Sequence, residues 1–218
     1  ENGNHIGITS DYFKLFEEKL NTKFEVIKTN NWVESLTYVK ERKCDISSFS
    51  RETHEQEEFL NFTEPYLSAP LVVATTLDRS FIDNIKNLFG EKVAIMKGHS
   101  VSEYLKKHPN INIIEVNSVK EGLEKVQDGD VFAFIGLIPS IAYESNINNF
   151  TNIKISGKLY DDLKFGIGVR NDDLILLNIL NKSIKFLTDE KKEEISNKWL
   201  SIKYTERINY ELVWKSVI

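Results

Sequence analysis

The chain has 218 residues, of which 41% are hydrophobic and 28% are charged, so it can bury a substantial core in one or two lobes. The formal net charge of −5 and the absence of a long Lys/Arg cluster argue against nucleic-acid binding. No run approaches the roughly 18 apolar residues of a membrane span, and no signal peptide is visible, although a processed or trimmed chain would also begin in this way. Cys44 is the single cysteine, and we expect it to be a small buried hydrophobic residue.

Short strands alternate with helices from the start of the chain. Apolar residues at helical spacing predict one helix near residues 11–20 and another that Asn31 caps. Between them, residues 24–28 (FEVIK) form a candidate strand. Residues 44–67 are typical of the end of a strand followed by a polar turn, a short acidic helix and a final segment with a proline and an aromatic residue. The β-branched run 71–76 is the next predicted strand.

The alternation continues to the end of the chain. Pro139 is placed to open one of the helices between the later strands, and two helices follow the last strand, the second containing Ile195 and Trp199. The later predicted strands are residues 92–100, which run into a glycine turn, 111–116, 130–136 and 163–169.

This pattern predicts an α/β protein with mixed, mainly parallel sheets flanked by helices on both faces. Residues 77–163 contain a complete β-α-β-α-β unit between two β-branched strands, which indicates an inserted second lobe. Residues 1–76 and 164–200 would then form the first lobe, joined to the second by two hinge crossings, and residues 201–218 a C-terminal segment. A ligand cleft between the lobes is the expected site.

Signatures of catalysis are weak. The sequence HEQEE at 54–58 opens like a zinc-protease helix, but Glu58 stands where the second histidine is required. His5, His99 and His108 show no metal-ligand spacing, and no nucleophile elbow, phosphate loop or dinucleotide fingerprint is present. We therefore expect no enzyme activity and no cofactor.

Signatures of ligand binding are stronger. In MKGHSV, Gly98 allows a tight turn that leaves His99 and Ser100 at a helix N-terminus, where backbone N–H groups favour an anion; an ordinary capped turn is the alternative. Arg51, in a polar turn, could hold a carboxylate through two parallel hydrogen bonds, or could pair with a neighbouring glutamate.

Aromatic residues could line the same cleft. Trp32, Phe49 and Tyr66 are the candidates, although aromatic residues on short periodic elements belong more often to the core.

Six segments, in this order, resemble the bacterial family-3 solute-binding domain, the two-lobed Venus-flytrap fold of type II periplasmic binding proteins. The resemblance covers about residues 6–200. The segments are GITSDYF, NNWVESL, CDISSFSRETHEQEEFLNFTEPYL, EKVAIMKGHSVSEYL, GDVFAFIGLIPSIAY and LKFGIGVRNDDLILLNILNKSI…ISNKW.

The chain departs from the family pattern at the positions that hold an amino-acid ligand. The arginine of the family's T-x-E-R motif is replaced by Gln56, and the aspartate expected after the DVFAF strand is replaced by Gly136 and Leu137. Arg51 stands where the family has a small Ser or Thr facing the ligand, and the family's first strand does not precede GITSDYF. These departures argue against a standard amino acid and favour another, carboxylate-bearing small molecule.

The resemblance and the binding signatures together give the candidate ligand contacts. Arg51 would hold the anionic group, with Ser50 and the Ser100 backbone assisting, Phe49 and Trp32 as apolar walls and Gln56 as a polar contact. The full set is Trp32, Phe49, Ser50, Arg51, Gln56, Lys97, His99, Ser100, Gly136 and Leu137.

Within the family, the segments KCDISS…T…LNFTEPYLS and NKWLSIKYTERINYELVWKSV resemble the extracytoplasmic sensor domains of membrane histidine kinases or diguanylate cyclases. Eighteen residues follow Leu200, and Trp214 among them is typical of an interfacial aromatic before a membrane span. A tail docked on the lobe is the alternative. The resemblance implies a periplasmic domain of an inner-membrane receptor, close to the membrane and homodimeric in the full-length protein. A transporter's binding protein, a dehydratase-like enzyme and a domain that binds nothing are the other possibilities.

Overall fold

The computed structural model describes residues 5–98, 101–106 and 108–200. The helices and strands alternate along the chain much as the sequence predicts. In chain order they are α1 (Ile8–Leu20), α2 (Trp32–Lys40), β1 (Ile46–Ser50), α3 (His54–Glu57), β2 (Leu60–Phe62), β3 (Leu67–Thr76), a short 3-10 helix (Ile85–Leu88), β4 (Lys92–Met96), α4 (Val101–Lys106), β5 (Asn112–Val116), α5 (Val119–Gln127), β6 (Ala133–Leu137), α6 (Ile138–Ile147), β7 (Ile153–Arg170), α7 (Leu174–Lys185) and α8 (Asp189–Leu200).

Local sequence fixes several helix ends. The side chain of Asn31 accepts a hydrogen bond from the backbone N–H of Glu34, so it caps α2 as predicted. Asp173 caps α7 in the same manner. Pro139 lies in the first turn of α6, where its missing N–H costs no helical hydrogen bond.

The described strands form one mixed sheet in the order β1-β7-β3-β6-β4-β5, with β2 also pairing with β7. The two-lobed α/β fold is confirmed, but the expectation that parallel pairing predominates is wrong. Strand β4 pairs in parallel with β5 and β6. The other described pairs are antiparallel: β1, β2 and β3 each pair with β7, and β3 also pairs with β6. The reason is that β7 returns as one long strand against β3.

Strands β3 and β7 are the two crossings that the sequence predicts. The first part of β7 pairs with β3, and its last residues pair with β1 and β2. The hydroxyl groups of Thr75 and Ser156 are hydrogen-bonded to each other between the two strands, and both residues are buried. The lobe boundaries at 76/77 and 163/164 fall within this pair and stay a prediction.

Separate clusters of buried residues fill the two ends of the sheet. At the β1 end, α1, α7 and α8 cover Tyr66, Ile167 and Val169. At the β4–β6 end, one cluster on each face of the sheet contains buried residues such as Val93 and Phe134. Helices thus cover both faces, as expected for an α/β protein.

The predicted strand at residues 24–28 is wrong. No residue in this range is assigned to a strand, and Val26 and Ile27 are 53% and 41% exposed. A strand needs a neighbour to satisfy its backbone groups, and no described strand pairs with this segment. Conversely, the sequence did not reveal β2 or the first ten residues of β7.

Candidate functional site

A pocket of about 300 Å³ lies where the first turn of α1, the crossing strand β3, the start of α6 and the end of α8 meet. Both predicted lobes contribute to it, since α1, β1 and α8 belong to the first lobe and α6 to the second. Its lining residues are Ile6, Gly7, Ile8, Thr9, Phe49, Leu67, Ala69, Leu137, Pro139, Ser140, Tyr143 and Trp199.

Trp199 is held in the pocket wall by the first turn of α1. Its indole Nε1 donates a hydrogen bond of 2.9 Å to Asp11, and the Lys198 ammonium also contacts this carboxylate. Burial alone would raise the pKa of Asp11, but the hydrogen bonds from Lys198, Trp199 and Lys14 outweigh it, so the pKa lies below its ordinary value. The ionised carboxylate therefore fixes the end of α8 against α1, and the Trp199 N–H is already used.

Phe49 and Tyr66 have different roles. The Phe49 ring stacks on Phe165 with the ring centroids 4.0 Å apart, and it lines the pocket. Tyr66 is buried against Tyr12, and its hydroxyl donates to the backbone oxygen of Ser48. Phe49 thus lines the pocket, whereas Tyr66 belongs to the core, and a ligand contact of Phe49 stays a prediction.

Adjacent residues at the end of β6 point to opposite faces of the sheet. Leu137 is buried and lines the pocket. A Cβ atom on Gly136 would lie 2.6 Å from the Phe134 ring and 3.5 Å from Ile141, on the side covered by α5 and α6. Leu137 therefore faces the pocket, while the side of Gly136 that would carry a side chain faces the core.

The pocket is apolar. None of the described lining residues carries a charge. Its polar side-chain groups are the hydroxyl groups of Thr9, Ser140 and Tyr143 and the indole N–H of Trp199, and this N–H already donates a hydrogen bond to Asp11. Such a lining can desolvate an apolar molecule and orient it through a few hydrogen bonds.

Several predicted contacts lie outside the described lining of this pocket. Ser50 is buried and donates a hydrogen bond to Ser47. Arg51, which follows β1, is half-buried, and Lys97 is exposed. His99 and Ser100 lie outside the described residues. A ligand contact at these positions stays a prediction.

Gln56 is a buried polar residue with an unfilled acceptor. It lies in α3, only 5% exposed, and its side-chain Oε1 accepts no hydrogen bond among the described residues. A buried acceptor of this kind carries a desolvation cost of about 1–3 kcal/mol unless a donor reaches it. The polar contact between Gln56 and a ligand stays a prediction.

Trp32 brings the two predicted lobes into contact at a second place. Its indole Nε1 donates a hydrogen bond of 3.1 Å to the backbone oxygen of Gly98, 66 positions along the chain. Gly98 has φ of 70°, in the left-handed region that glycine adopts without strain. A Cβ atom there would lie 3.3 Å from Val33. This contact therefore connects α2 directly with the turn after β4.

The described residues contain no group of three or more His, Cys, Asp or Glu side chains that could hold a metal ion. The HEQEE segment forms the short helix α3, on which His54 lies 3.6 Å from Glu57 and is fully exposed. Within the described part of the chain, no helix has the length and apolar character needed to cross a bilayer.

Sequence reasoning missed most of the pocket. Thr9, Ser140 and Tyr143 lie in segments that resemble the family, but none of them was predicted as a ligand contact, and Trp199 was assigned only to the last helix. The start of α6 directly after a buried strand was the available signal, because ligands often bind at the carboxyl ends of strands.

Comparison with known proteins places this geometry in a family. The profile of the bacterial extracellular solute-binding proteins, family 3, matches residues 1–202. The chain belongs to this family. The Venus-flytrap fold inferred from the six sequence segments is thereby confirmed.

Two curated family relatives differ in role. The virulence sensor protein BvgS of Bordetella pertussis is 20% identical over 195 residues, which are 88% of this chain and 16% of that protein. The ABC transporter glutamine-binding protein GlnH of Bacillus subtilis is 25% identical over 154 residues, 68% of this chain and 54% of that protein. The chain thus spans about a sixth and about half of the length of these relatives.

Solved structures show the same fold. The histidine kinase sensor domain with similarity to periplasmic binding proteins has a TM-score of 0.83 at 19% identity, covering 92% of this chain and 89% of that one. The VFT2 domain of BvgS from Bordetella pertussis gives 0.80 at 20% identity, covering 88% and 84%. An ancestral arginine-binding protein bound to glutamine gives 0.80 at 23% identity, covering 91% and 89%.

Proposed function

We propose that this chain is an extracytoplasmic ligand-sensing domain that binds a small molecule between its lobes and signals through a membrane helix to a cytoplasmic output domain. The observation that carries the proposal is the pocket, because Phe49 and Trp199 from one predicted lobe and Leu137 and Tyr143 from the other enclose the same space. The relatives BvgS and the histidine kinase sensor domain support the sensing role.

The position of Trp199 provides a route for the signal. This residue lines the pocket and precedes Leu200, the last residue of α8. A ligand that contacts Trp199 acts directly on the helix that leads into residues 201–218. Ligand shifts the equilibrium between open and closed forms only by its differential affinity for them. A pocket closed by both lobes gives such a difference.

The receptor would lie on the outer side of the inner membrane, with a homodimer transmitting the change. The family name places its members outside the cell. Residues 201–218 lie outside the described part of the chain; in this proposal they would approach the membrane surface, with Trp214 at the interface.

A solute-binding protein of an ABC-type transporter is the second candidate, favoured by the relative GlnH. The sequence of the full-length gene beyond Ile218 distinguishes the two. An apolar span followed by a kinase or cyclase domain supports the sensor, and a stop codon supports the transporter.

A thermal-shift screen over amino acids, small carboxylates, amines, nucleobases and neutral aromatic molecules tests the binding role. A ligand that binds only the folded state raises the melting temperature. If the domain senses a ligand, the same molecule must also change the output activity of the full-length receptor in membranes. A ligand that binds the domain without changing that output contradicts the sensing role.

The role predicted for Arg51 has its own test. If Arg51 holds a ligand carboxylate, the Arg51→Ala variant should lose affinity for that ligand in calorimetry. Unchanged affinity shows that Arg51 has no such role.

A further inference from the structure

We propose that the pocket takes an uncharged, mainly aromatic small molecule with one hydroxyl or carbonyl group. This inference rests on the proposed function, since it names the ligand class for the same pocket. It differs from the carboxylate ligand that the sequence predicts, because the described pocket lining is uncharged.

The described lining of the pocket is uncharged. The described lining has no cation for a carboxylate and no carboxylate for an ammonium group. Leu137, which stands where the sequence resemblance leads one to expect an aspartate, is only 5% exposed. Burying an ion against such a lining without a partner carries a large desolvation cost. The lining therefore selects against charged ligands.

The carboxylate that is hydrogen-bonded to the pocket wall is already neutralised. The Asp11 carboxylate accepts hydrogen bonds from Trp199, Lys198 and Lys14. Two ammonium groups and one indole N–H surround it, so it is a structural anion. It fixes the wall of the pocket and leaves the ring of Trp199 to face the ligand.

The wall of the pocket is partly aromatic. Three aromatic side chains, those of Phe49, Tyr143 and Trp199, are part of the wall, and Phe49 is held flat against Phe165. Aromatic rings pack well against such walls in stacked or edge-to-face arrangements. A volume of about 300 Å³ is roughly twice that of a cavity that holds benzene, so one or two rings fit.

Three residues of the pocket lining carry hydroxyl groups that can contact a ligand. The hydroxyl groups of Thr9, Ser140 and Tyr143 can each donate or accept a hydrogen bond. No hydrogen bond joins these hydroxyl groups to another described side chain. One oxygen-bearing substituent on the ligand can therefore be oriented without any net charge.

Three isosteric probes test the ligand class: benzyl alcohol, benzoate and benzylamine, the last as its ammonium form at neutral pH. We expect benzyl alcohol to raise the melting temperature by about 3 °C at a roughly tenfold excess over its Kd and to change the tryptophan fluorescence through Trp199. Benzoate and benzylamine at the same concentration should do neither. Indole, a neutral two-ring probe, should behave like benzyl alcohol.

Variants on α6 locate the binding. Ser140→Phe should fill the pocket and abolish the response to benzyl alcohol. Ser145→Phe is the matched control, because Ser145 is also half-buried on α6 but does not line the pocket. Circular dichroism establishes that both variants are folded. Tyr143→Phe, which keeps the ring, should weaken benzyl alcohol binding severalfold and leave toluene binding unchanged.

Two results would overturn the inference. Benzoate that binds better than benzyl alcohol, with binding lost in Arg51→Ala and kept in Ser140→Phe, would move the site to the residues predicted from sequence and leave the proposed function standing. A neutral probe response that survives Ser140→Phe would place neutral ligands elsewhere. Failure of the proposed function differs from both, since no ligand of any class would then alter receptor output.

Discussion

Gly157 is a position where one added carbon should disturb the crossing strands. It follows Ser156, whose backbone oxygen accepts a hydrogen bond of 2.6 Å from the N–H of Ile82. A Cβ atom at Gly157 would overlap the backbone oxygen of Ile82, which cannot rotate away as a flexible side chain can. We expect Gly157→Ala to lower the free energy of unfolding by about 3 kcal/mol in urea denaturation.

Gly90→Ala is the control for this change. Gly90 has φ of 82°, but no atom lies within 4 Å of its ideal Cβ position. Its substitution should cost only the strain of the left-handed backbone, about 1 kcal/mol. Equal losses in the two variants would show that the contact with Ile82 does not decide the effect.

A second residue-scale prediction concerns the carboxyl group of Asp172. The Arg170 guanidinium donates two hydrogen bonds to it, through Nε at 2.7 Å and through an Nη atom at 2.8 Å, and these lower its pKa to about 2. Arg170→Gln should raise this pKa toward the ordinary value of 3.8. The measurement is an NMR titration of the side-chain carboxyl carbon. Arg79→Gln, at a separate ion pair, should leave it unchanged.

At the scale of elements, Asp11 connects the first and last helices of the described chain. Its carboxylate accepts hydrogen bonds from Lys198 and Trp199 at the end of α8. Asp11→Asn removes the charge from these bonds and should lower the free energy of unfolding at neutral pH by about 1–3 kcal/mol. Amide hydrogen exchange should accelerate in the last turn of α8, because that end is no longer held.

The effect of pH follows from the direction of the Asp11 pKa. The folded pKa lies below the ordinary value of 3.8, so the carboxylate stabilises the fold fully above that value and loses the effect as the pH falls through the folded pKa. The stability difference between wild type and Asp11→Asn should therefore shrink in acid. Asp189→Asn, at the start of α8 and 96% exposed, should change stability by less than about 0.5 kcal/mol at either pH.

At the scale of the whole molecule, the Trp32–Gly98 contact should favour the closed arrangement of the lobes. Trp32 donates a hydrogen bond to Gly98 and does not line the pocket. Trp32→Ala should raise the radius of gyration of the ligand-free domain in small-angle scattering. It should also weaken pocket ligands severalfold, because the binding-competent form becomes less populated.

Tyr38→Ala is the control, since Tyr38 lies on the same helix and packs against Lys43. It should change neither quantity. Weaker binding by Trp32→Ala with an unchanged radius of gyration would instead favour the direct ligand contact that the sequence predicts for Trp32.

Much of the fold could be predicted from the sequence because local patterns encode it. The side-chain oxygen of Asn31, the proline at position 139 and the apolar runs at 71–76 and 163–169 each dictate a local structure. The segment 24–28 shows the limit of this reasoning. Its alternation is compatible with a strand, but a strand exists only where a neighbouring strand pairs with it, and pairing is not a local property.

The candidate site was less accessible from sequence. Phe49 was a candidate because it is aromatic, and Leu137 because the resemblance marks its position. Both line the pocket, and their ligand contacts stay predictions. Ser140, Tyr143 and Trp199 come from α6 and α8, and no spacing in the sequence relates these residues to α1. Their proximity results from helix packing on two sides of the crossing strands.

The sequence by itself determined the alternating elements, the family, and the presence of Gln56, Gly136 and Leu137 where the family pattern has charged anchors. These properties depend on residue identity and on neighbours within a few positions. Only the tertiary structure decided that Leu137 faces a pocket while Gly136 faces the core, and that Asp11 fixes Trp199 in its wall. The physical reason is that pocket polarity depends on which side chains packing brings together, and residues 11 and 199 meet only when the chain is folded.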